Sequence, residues 1–575
     1  MTEQPRERSG IPGSTDEDGE TGASGESAGE RSAPPGAQRD AGGAGEPKEV
    51  PVAAGTTSPA PHGAPGAYRP PPPDWVVAVQ PGEPPAPMSA TTGWAALATG
   101  LLAALLLGAG LGINLLLIAL PAAVAAGAAA RAAGRRPRPW TLCWAACCLA
   151  LLVVPALRDA GWPSFLAVAG ALATGSLALQ GGRGWRAAVL GPTGLLAGVL
   201  PGAAWAIRSA RERAAASRRR WGPIVRTVLI AVALLVVFGA LFAGADAAFA
   251  DLLGSMVPET SVADGPVRVL CFVLGLAVAL AAARTAAAPW RWDRLRTPPG
   301  KARGRLEWAL PLVVLDMLFA AFNAVQLTVL FGGYDAVLRK TGLTYAEYAR
   351  QGFWQLLWAT LLTLVVIALA LRWAPRGRQR DRALVRAVLG TLCLLTLLVV
   401  LSALRRMDLY VDAYGLTRLR LSVAAVEIWL GLVIVLIMVA GALGLADRRG
   451  APWLPRAVTV SAAAGVLVFG LLSPDGVVAR QNVDRYERTG KIDLEYLRQL
   501  SADAVPALDA LPEPQRSCAL HAVARELAAE DDEPWYATGY GETRARKVLE
   551  DRPLRPGQAA CTGAGRHRDH RTAVR

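Results

Sequence analysis

The chain of 575 residues is short of charge. Asp, Glu, Lys and Arg make up 18% of it, where soluble domains carry about a quarter. There are four histidines (His62, His521, His567 and His570), all outside the long apolar runs. Seven cysteines are too few for a disulfide-stapled secreted scaffold, and none form a Cys-x-x-Cys pair. Also absent are a His-Glu-x-x-His helix, a Gly-x-x-x-x-Gly-Lys phosphate loop and a serine-nucleophile elbow. No catalytic residue, metal site or cofactor is therefore indicated. A hydrophobic share of 53% and a mean hydropathy of +0.31 exclude a chain disordered throughout and a fibrous repeat.

What the chain does have is long apolar runs. A membrane-crossing helix needs about 20 mostly apolar residues. Trp94 to Ala130 contains no charge over 37 residues, too long for one crossing, so it divides at Gly108–Gly112 into two short spans. Nine further spans are expected at Trp140–Leu157, Trp162–Gln180, Val225–Ala245, Pro266–Ala283, Trp308–Phe331, Phe353–Leu371, Ala387–Leu404, Ser422–Leu445 and Ala457–Leu472. The fold class is all-α: a polytopic membrane bundle of about eleven spans over residues 94–472. The apolar stretch Ala187–Ile207 is set aside. Gly191-Pro192 and Pro201-Gly202 break it, and it lies between arginine-rich segments. It reads as a re-entrant or interfacial hairpin, because broken backbone at membrane depth must be covered by protein or reach the surface.

The net charge of +14 conceals a division. Residues 1–93 carry six Lys/Arg and thirteen Asp/Glu in a Pro/Gly-rich context, the composition of a disordered acidic tail. The basic excess sits in short loops between spans, which reports membrane orientation and not nucleic-acid binding. Loops 131–138, 183–226, 284–307, 372–386 and 448–456 hold 29 Lys/Arg, and the alternate set holds nine. The first set is expected in the cytoplasm of a cell whose plasma membrane the chain crosses. The N-terminus then lies inside and the C-terminus outside.

Residues 473–575 read as a small helical domain with a loose end. Asp493 can cap a helix carrying Leu494, Leu497 and Leu500, and Leu520, Val523 and Leu527 share a stripe near Arg516–Ala529. Five cysteines fall in spans as small apolar residues. Cys518 and Cys561 fall in this domain, where an oxidising compartment would let them form a bridge across about 43 residues.

Several motifs stand out: Leu241-Phe-Ala-Gly-Ala-Asp246, Glu307-Trp308, Gly342-Leu-Thr344-Tyr-Ala-Glu347-Tyr348-Ala-Arg350, Arg405-Arg-Met-Asp408-Leu-Tyr410-Val-Asp412-Ala-Tyr414-Gly415-Leu-Thr417-Arg418-Leu-Arg420, Asn482-Val-Asp-Arg485 and Leu500-Ser-Ala-Asp503-Ala-Val-Pro506. Over about residues 94–550 they resemble bacterial multi-pass membrane proteins grouped as domain of unknown function 4153/4173, common in actinobacteria. The resemblance implies a membrane fold but carries no activity and no catalytic residue.

Two groups of polar residues are candidates for function. Under the expected topology Asp246, Asp251, Tyr348, Arg350, Arg405, Arg406, Asp408, Tyr410, Asp412, Tyr414, Arg418 and Arg420 share the outer face, where arginine should be scarce. They serve either as ion pairs tying span ends together or as an anion site for a lipid headgroup or envelope precursor, since the guanidinium fork suits phosphate. Within spans, Asp316, Asn323 and Gln326 lie within about 80° of one another on one helix, and Glu427 lies in another. Intramembrane carboxylates are costly and mark ion or proton pathways, or are satisfied by neighbouring helices. Three functions follow: a non-catalytic envelope or signalling protein whose N-terminal tail and C-terminal domain contact partner proteins; an ion-coupled transporter of small solutes or lipids; or an outer-face transferase. The topology is directly testable. A reporter active only outside the cytoplasm is expected to work when fused after residue 475 and to be silent after residue 300. The opposite pattern would invert the whole arrangement.

Overall fold

A computed structural model describes residues 73–82, 84–108, 110–245, 265–295, 304–332, 353–374, 379–443, 451–529 and 534–555, and all of its regular elements are helical. Helices suit such a chain because hydrocarbon offers no partner to an open backbone N–H or C=O. In order they are α1 Asp74–Val79, α2 Ala90–Leu106, α3 Asn114–Ala132, α4 Pro139–Leu152, α5 Val154–Leu157, α6 Gly161–Gln180, α7 Trp185–Leu190, α8 Gly194–Ala197, α9 Val199–Ala245, α10 Gly265–Ala287, α11 Arg305–Gly332, α12 Phe353–Trp373, α13 Gln379–Tyr414, α14 Arg418–Leu443 and α15 Leu454–Leu471. The C-terminal part adds α16 Pro474–Thr489, α17 Leu494–Leu497, α18 Val505–Leu508, α19 Gln515–Ala529 and α20 Tyr540–Asp551.

Among the described residues nine helices are long and apolar enough to cross a membrane, and they coincide with nine of the eleven expected spans. The other two are the 17-residue α2 and the distal half of α9. This is an integral membrane protein.

Two boundaries differ from expectation. Residues 1–72 lie outside the described residues, and the described chain begins about twenty residues before Trp94. α1 precedes the first span, and Val79 and Met88 are buried. The Val79 carbonyl accepts the Arg291 N–H at 2.8 Å, Met88 N–H donates to Ser209 Oγ at 2.9 Å, and Trp205 Nε1 donates to the Ala86 carbonyl. Helix α2 starts at Ala90 because Ser89 caps it, accepting the Thr92 N–H. Secondly, the arginine run 208–220, expected to be a loop, is helical. Alanine, arginine and glutamate are strong helix formers, so α9 runs unbroken for 47 residues.

The stretch Ala187–Ile207 stays at one end of the bundle. Its two arms, Trp185–Ala197 and Val199–Ala215, bend by 43°. The Gly191 carbonyl accepts Ser176 Oγ and Gln180 Nε2, the last turn of α6, and Leu195 N–H donates to Ser176 Oγ. Gly202 lies so close to the last turns of α10 that a Cβ would fall 2.9 Å from the Leu280 carbonyl oxygen. Both partners lie in the last turns of their helices, so the segment packs against one end of α6 and α10.

That end also gathers the arginine-rich loops. Arg135 donates to the Leu179 and Ala286 carbonyls, Arg183 and Gly184 N–H groups donate to Asp293, Arg456 lies 4.8 Å from the Trp140 ring, and Arg305 pairs with Asp381. The core differs between regions. Around α2, α3, α9 and α10 it is built on alanine (Ala96, Ala125, Ala129, Ala279, Ala283), which lets backbones approach closely. Around α11–α14 it is built on larger side chains such as Leu389, Leu392, Val400 and Ile434. Helix α15 joins α14 to α4 and α6, through Trp429 Nε1 to Ser461 Oγ and through Ala463 beside Leu151 and Ala167.

The C-terminal helices have their own core of Val478, Val483, Leu497, Leu508, Leu520, Val523 and Leu527. Asp493 caps α17 by accepting the Tyr496 N–H, although that helix is only one turn long. Arg516, 1% exposed, bonds Asp509, Glu513 and the Arg552 carbonyl, and the Arg555 N–H donates to Ser517 Oγ. The segment after α20 is thereby tied to α19. Cys518 takes part in a disulfide, while Cys143, Cys147, Cys148, Cys271 and Cys393 are free. Cys561, its expected partner, lies outside the described residues.

Candidate functional site

The end of the bundle opposite the arginine-rich loops carries the C-terminal helices, and a set of charges joins the two. The tightest joint is at the α13–α14 turn. Gly415, φ 84°, lets the chain reverse there, and a side chain would collide with Asn482 Oδ1. The turn presents carbonyls that Asn482 and Arg485 of α16 bind: Asn482 donates to Leu416 at 2.8 Å, and Arg485 donates to Asp412 at 3.0 Å and Ala413 at 2.6 Å.

Arg418, the first residue of α14, forms a two-pronged bond to Asp475, with Nε to Oδ1 at 2.8 Å and Nη2 to Oδ2 at 2.5 Å. Asp475 has no exposed surface. It sits in the first turn of α16, where the helix dipole favours negative charge, and also accepts the Ser501 N–H at 2.9 Å. Burial pushes its carboxyl towards the neutral form, but the bonds from Arg418 and Ser501 outweigh it and hold the acid below the usual carboxylate range. The Arg418 N–H donates to the Tyr496 hydroxyl at 2.7 Å.

A second joint lies at the α5–α6 turn. Asp503 accepts the N–H groups of Asp159 and Ala160, at 3.1 and 3.2 Å, with Arg158 3.8 Å away. In return Asp159 accepts the Ala502 N–H at 2.8 Å. Burial lifts the Asp503 carboxyl to about 6, against those N–H groups and Arg158. A third contact is the Asn114 N–H donating to the Tyr536 carbonyl.

The residues expected to share one cluster go to different partners. Arg418 pairs with Asp475, which the sequence reading missed. Arg406 is buried and donates to Gln326 Oε1 at 3.0 Å. Arg420 lies over the Tyr410 ring at 4.1 Å and the Tyr414 ring at 6.0 Å, and donates to the Gly415 carbonyl. Arg405, Asp408 and Asp412 have exposed side chains and make no ion pair among the described residues. Asp246, Asp251, Tyr348 and Arg350 lie outside the described residues. A usable signal for the missed residues existed: Arg158, Asp159 and Asp475 are charges set directly at the ends of apolar runs on the arginine-poor side.

The intramembrane residues fall in the α11–α14 half. Asn323 Nδ2 donates to the Phe319 and Leu395 carbonyls, and Gln326 also accepts Ser402 Oγ. Glu427 has no exposed surface, its Oε1 accepting Thr360 Oγ1 at 3.2 Å. Glu427 Oε2 and Asp316 Oδ1 are buried without a hydrogen-bond partner. Among the described residues no three His, Cys, Asp or Glu side chains are grouped to hold a metal ion.

The fold and this joint define a class: a helical integral membrane protein with a helical domain clamped to one end of its bundle. Residues 145–511 match the family model described as a domain of unknown function, DUF4153, and the chain belongs to that family. The matched region holds both carboxylate joints and both intramembrane acids, and is shorter than the 94–550 resemblance. No curated protein and no solved structure matches the chain.

Two predictions follow from the joints. Arg418→Ala strands a fully buried carboxylate, so it is expected to cost about 3–4 kcal/mol, more than Asp475→Asn, which leaves an arginine able to reach water. Thermal unfolding in detergent together with proteolytic release of the C-terminal helices measures both. Equal, negligible losses would show that the pair does not hold the domain. The second concerns pH. An acid raised to about 6 in the folded state contributes stability that is fully present below the unfolded value of about 3.9 and is lost as pH rises through 6. Wild-type protein should therefore be more stable at pH 5 than at pH 7.5 by a margin that disappears in Asp503→Asn.

Proposed function

We propose that this chain is a non-catalytic envelope or signalling protein of the plasma membrane, in which the C-terminal helical domain is the working part and the spans hold and sense it. The observation that carries the reading is the Arg418–Asp475 joint. A buried, two-pronged ion pair with an added backbone bond links the first residue of a span to the first turn of the domain. A partner that shifts α16 therefore shifts α14. The arginine distribution supports a cytoplasmic N-terminus and an extracytoplasmic domain. The N-terminal tail and the domain are then free to meet protein partners on opposite sides, and the span ends to meet anionic lipid.

The second reading is proton-coupled transport, favoured by one observation: Asp316 on α11 and Glu427 on α14 each keep a buried carboxyl oxygen without a partner. An outer-face transferase has no comparable support. In a deletion strain scored for growth under envelope stress, Arg418→Ala is expected to fail to complement and Glu427→Gln to succeed. The reverse pattern, with proton flux in proteoliposomes lost in Glu427→Gln, would replace the envelope reading with transport.

A further inference from the structure

Between the C-terminal helices and the bundle lies a cavity of about 420 Å³, within the range of small-molecule sites. One wall is the face of α16 that carries Arg480, Asp484 and Glu487 at helical spacing. The opposite wall is the start of α20, with Tyr540 and Arg544, and the floor is Arg158 with Asp503. Leu472, the last apolar residue before the domain, stands 59% exposed at its lip. The cavity therefore opens where span α15 ends, the level of lipid headgroups in a bilayer.

Its charges are of both signs, and the four on α16 and α20 are uncommitted. Arg480 and Arg544 are exposed and make no ion pair or side-chain hydrogen bond among the described residues. Arg158 gives one terminal nitrogen to the Leu471 carbonyl and holds the other 3.8 Å from Asp503, a loose pair, while its Nε is buried without a partner. Asp484 is four residues from Arg480 on the same helix, close enough to bond it, yet neither Asp484 nor Glu487 makes an ion pair among the described residues. Three guanidinium groups facing three carboxylates leave the lining without net charge. A simple anion would meet the carboxylates and a simple cation the arginines. Ser473, which also lines the cavity, holds a left-handed backbone, φ 54°, unusual for a residue with a side chain, and such outliers collect at binding sites.

We propose that this cavity binds a ligand carrying both phosphate and ammonium, of the phosphoethanolamine type, with the phosphate on Arg158, Arg480 and Arg544 and the ammonium on Asp484 and Glu487. The guanidinium forks supply paired donors to phosphate oxygens, and the exposed Leu472 gives an attached acyl chain an apolar exit towards the membrane. The proposal rests on the reading of the domain as the working part and gives that domain its ligand.

Binding is measured on the purified full chain by calorimetry with phosphoethanolamine, inorganic phosphate and ethanolamine, and by native mass spectrometry after exchange into phosphatidylethanolamine or phosphatidylglycerol. Phosphoethanolamine is expected to bind at least about tenfold more tightly than either half alone, one or two charge-assisted bonds' worth. Arg480→Gln with Arg544→Gln should abolish binding, and Asp484→Asn with Glu487→Gln should weaken it to the level of phosphate. These four side chains are exposed, so unchanged unfolding temperatures separate loss of the site from loss of the fold. Selective retention of phosphatidylethanolamine identifies the source as lipid, and tight binding of the soluble compound alone identifies it as a free metabolite. Phosphate binding as strongly as phosphoethanolamine, no binding of any form, or binding indifferent to the arginine variants would overturn the proposal. Those results leave the complementation pattern of Arg418→Ala untouched, so failure of the site and failure of the envelope reading are told apart.

Discussion

A carboxylate with no exposed surface stays ionised only if positive charge and N–H groups are brought to it, and at Asp475 that requirement organises one end of the molecule. Arg418 must stand at the start of α14, α16 must begin at Pro474, and the Ser501 N–H must fold back over both. None of these conditions can be met unless the domain sits on the bundle. The apolar core of Val478, Leu508 and Leu520 could fold in several orientations relative to the spans, whereas a two-pronged bond to a fixed guanidinium allows one. Buried ion pairs are weak evidence for stability in general. Here the pair is better read as a device of register, with Arg485 on the 412–413 carbonyls and Asp503 on the 159–160 N–H groups as its second and third points.

Those three points differ in chemistry, and the difference matters for how firmly the domain is held. Asp475 is kept charged by a guanidinium, so its joint persists into acid. Asp503 faces Arg158 only at 3.8 Å and relies on backbone N–H groups. Burial therefore prevails there and the acid titrates near 6. One end of the same interface is thus insensitive to mild acid and the other responds to it.

The apolar runs made the spans legible, because twenty consecutive residues that cannot bond water leave few alternatives to a helix. The break at Gly191-Pro192 and the cap at Asp493 follow local rules in the same way. The reach of α9 through its arginines was harder to read. Charge density suggested a loop, while helix propensity, which is indifferent to charge, decided otherwise. The charge joints were the least legible part. Arg418 and Asp475 are 57 residues apart, and nothing in local spacing selects Asp475 over the nearer Asp408 or Asp412 as the partner. Pairing depends on which helix ends meet in space, which is a property of the packed bundle.

The two halves of the bundle suggest why the domain docks where it does. The α2–α10 half packs alanine on alanine, which lets helix backbones approach closely, whereas the α11–α14 half packs leucine and isoleucine; buried polar atoms without partners occur in both, at Thr285 in the first and at Asp316 and Glu427 in the second. An unsatisfied buried oxygen costs free energy that better packing cannot recover, and within the spans the carboxyl oxygens so placed are those of Asp316 and Glu427 in the second half. The Arg418 joint is made to α14, the helix that carries Glu427. The domain is thus joined both to the helix that carries a buried carboxyl and, through Asp503 and Tyr536, to the α5–α6 turn and the start of α3 in the other half.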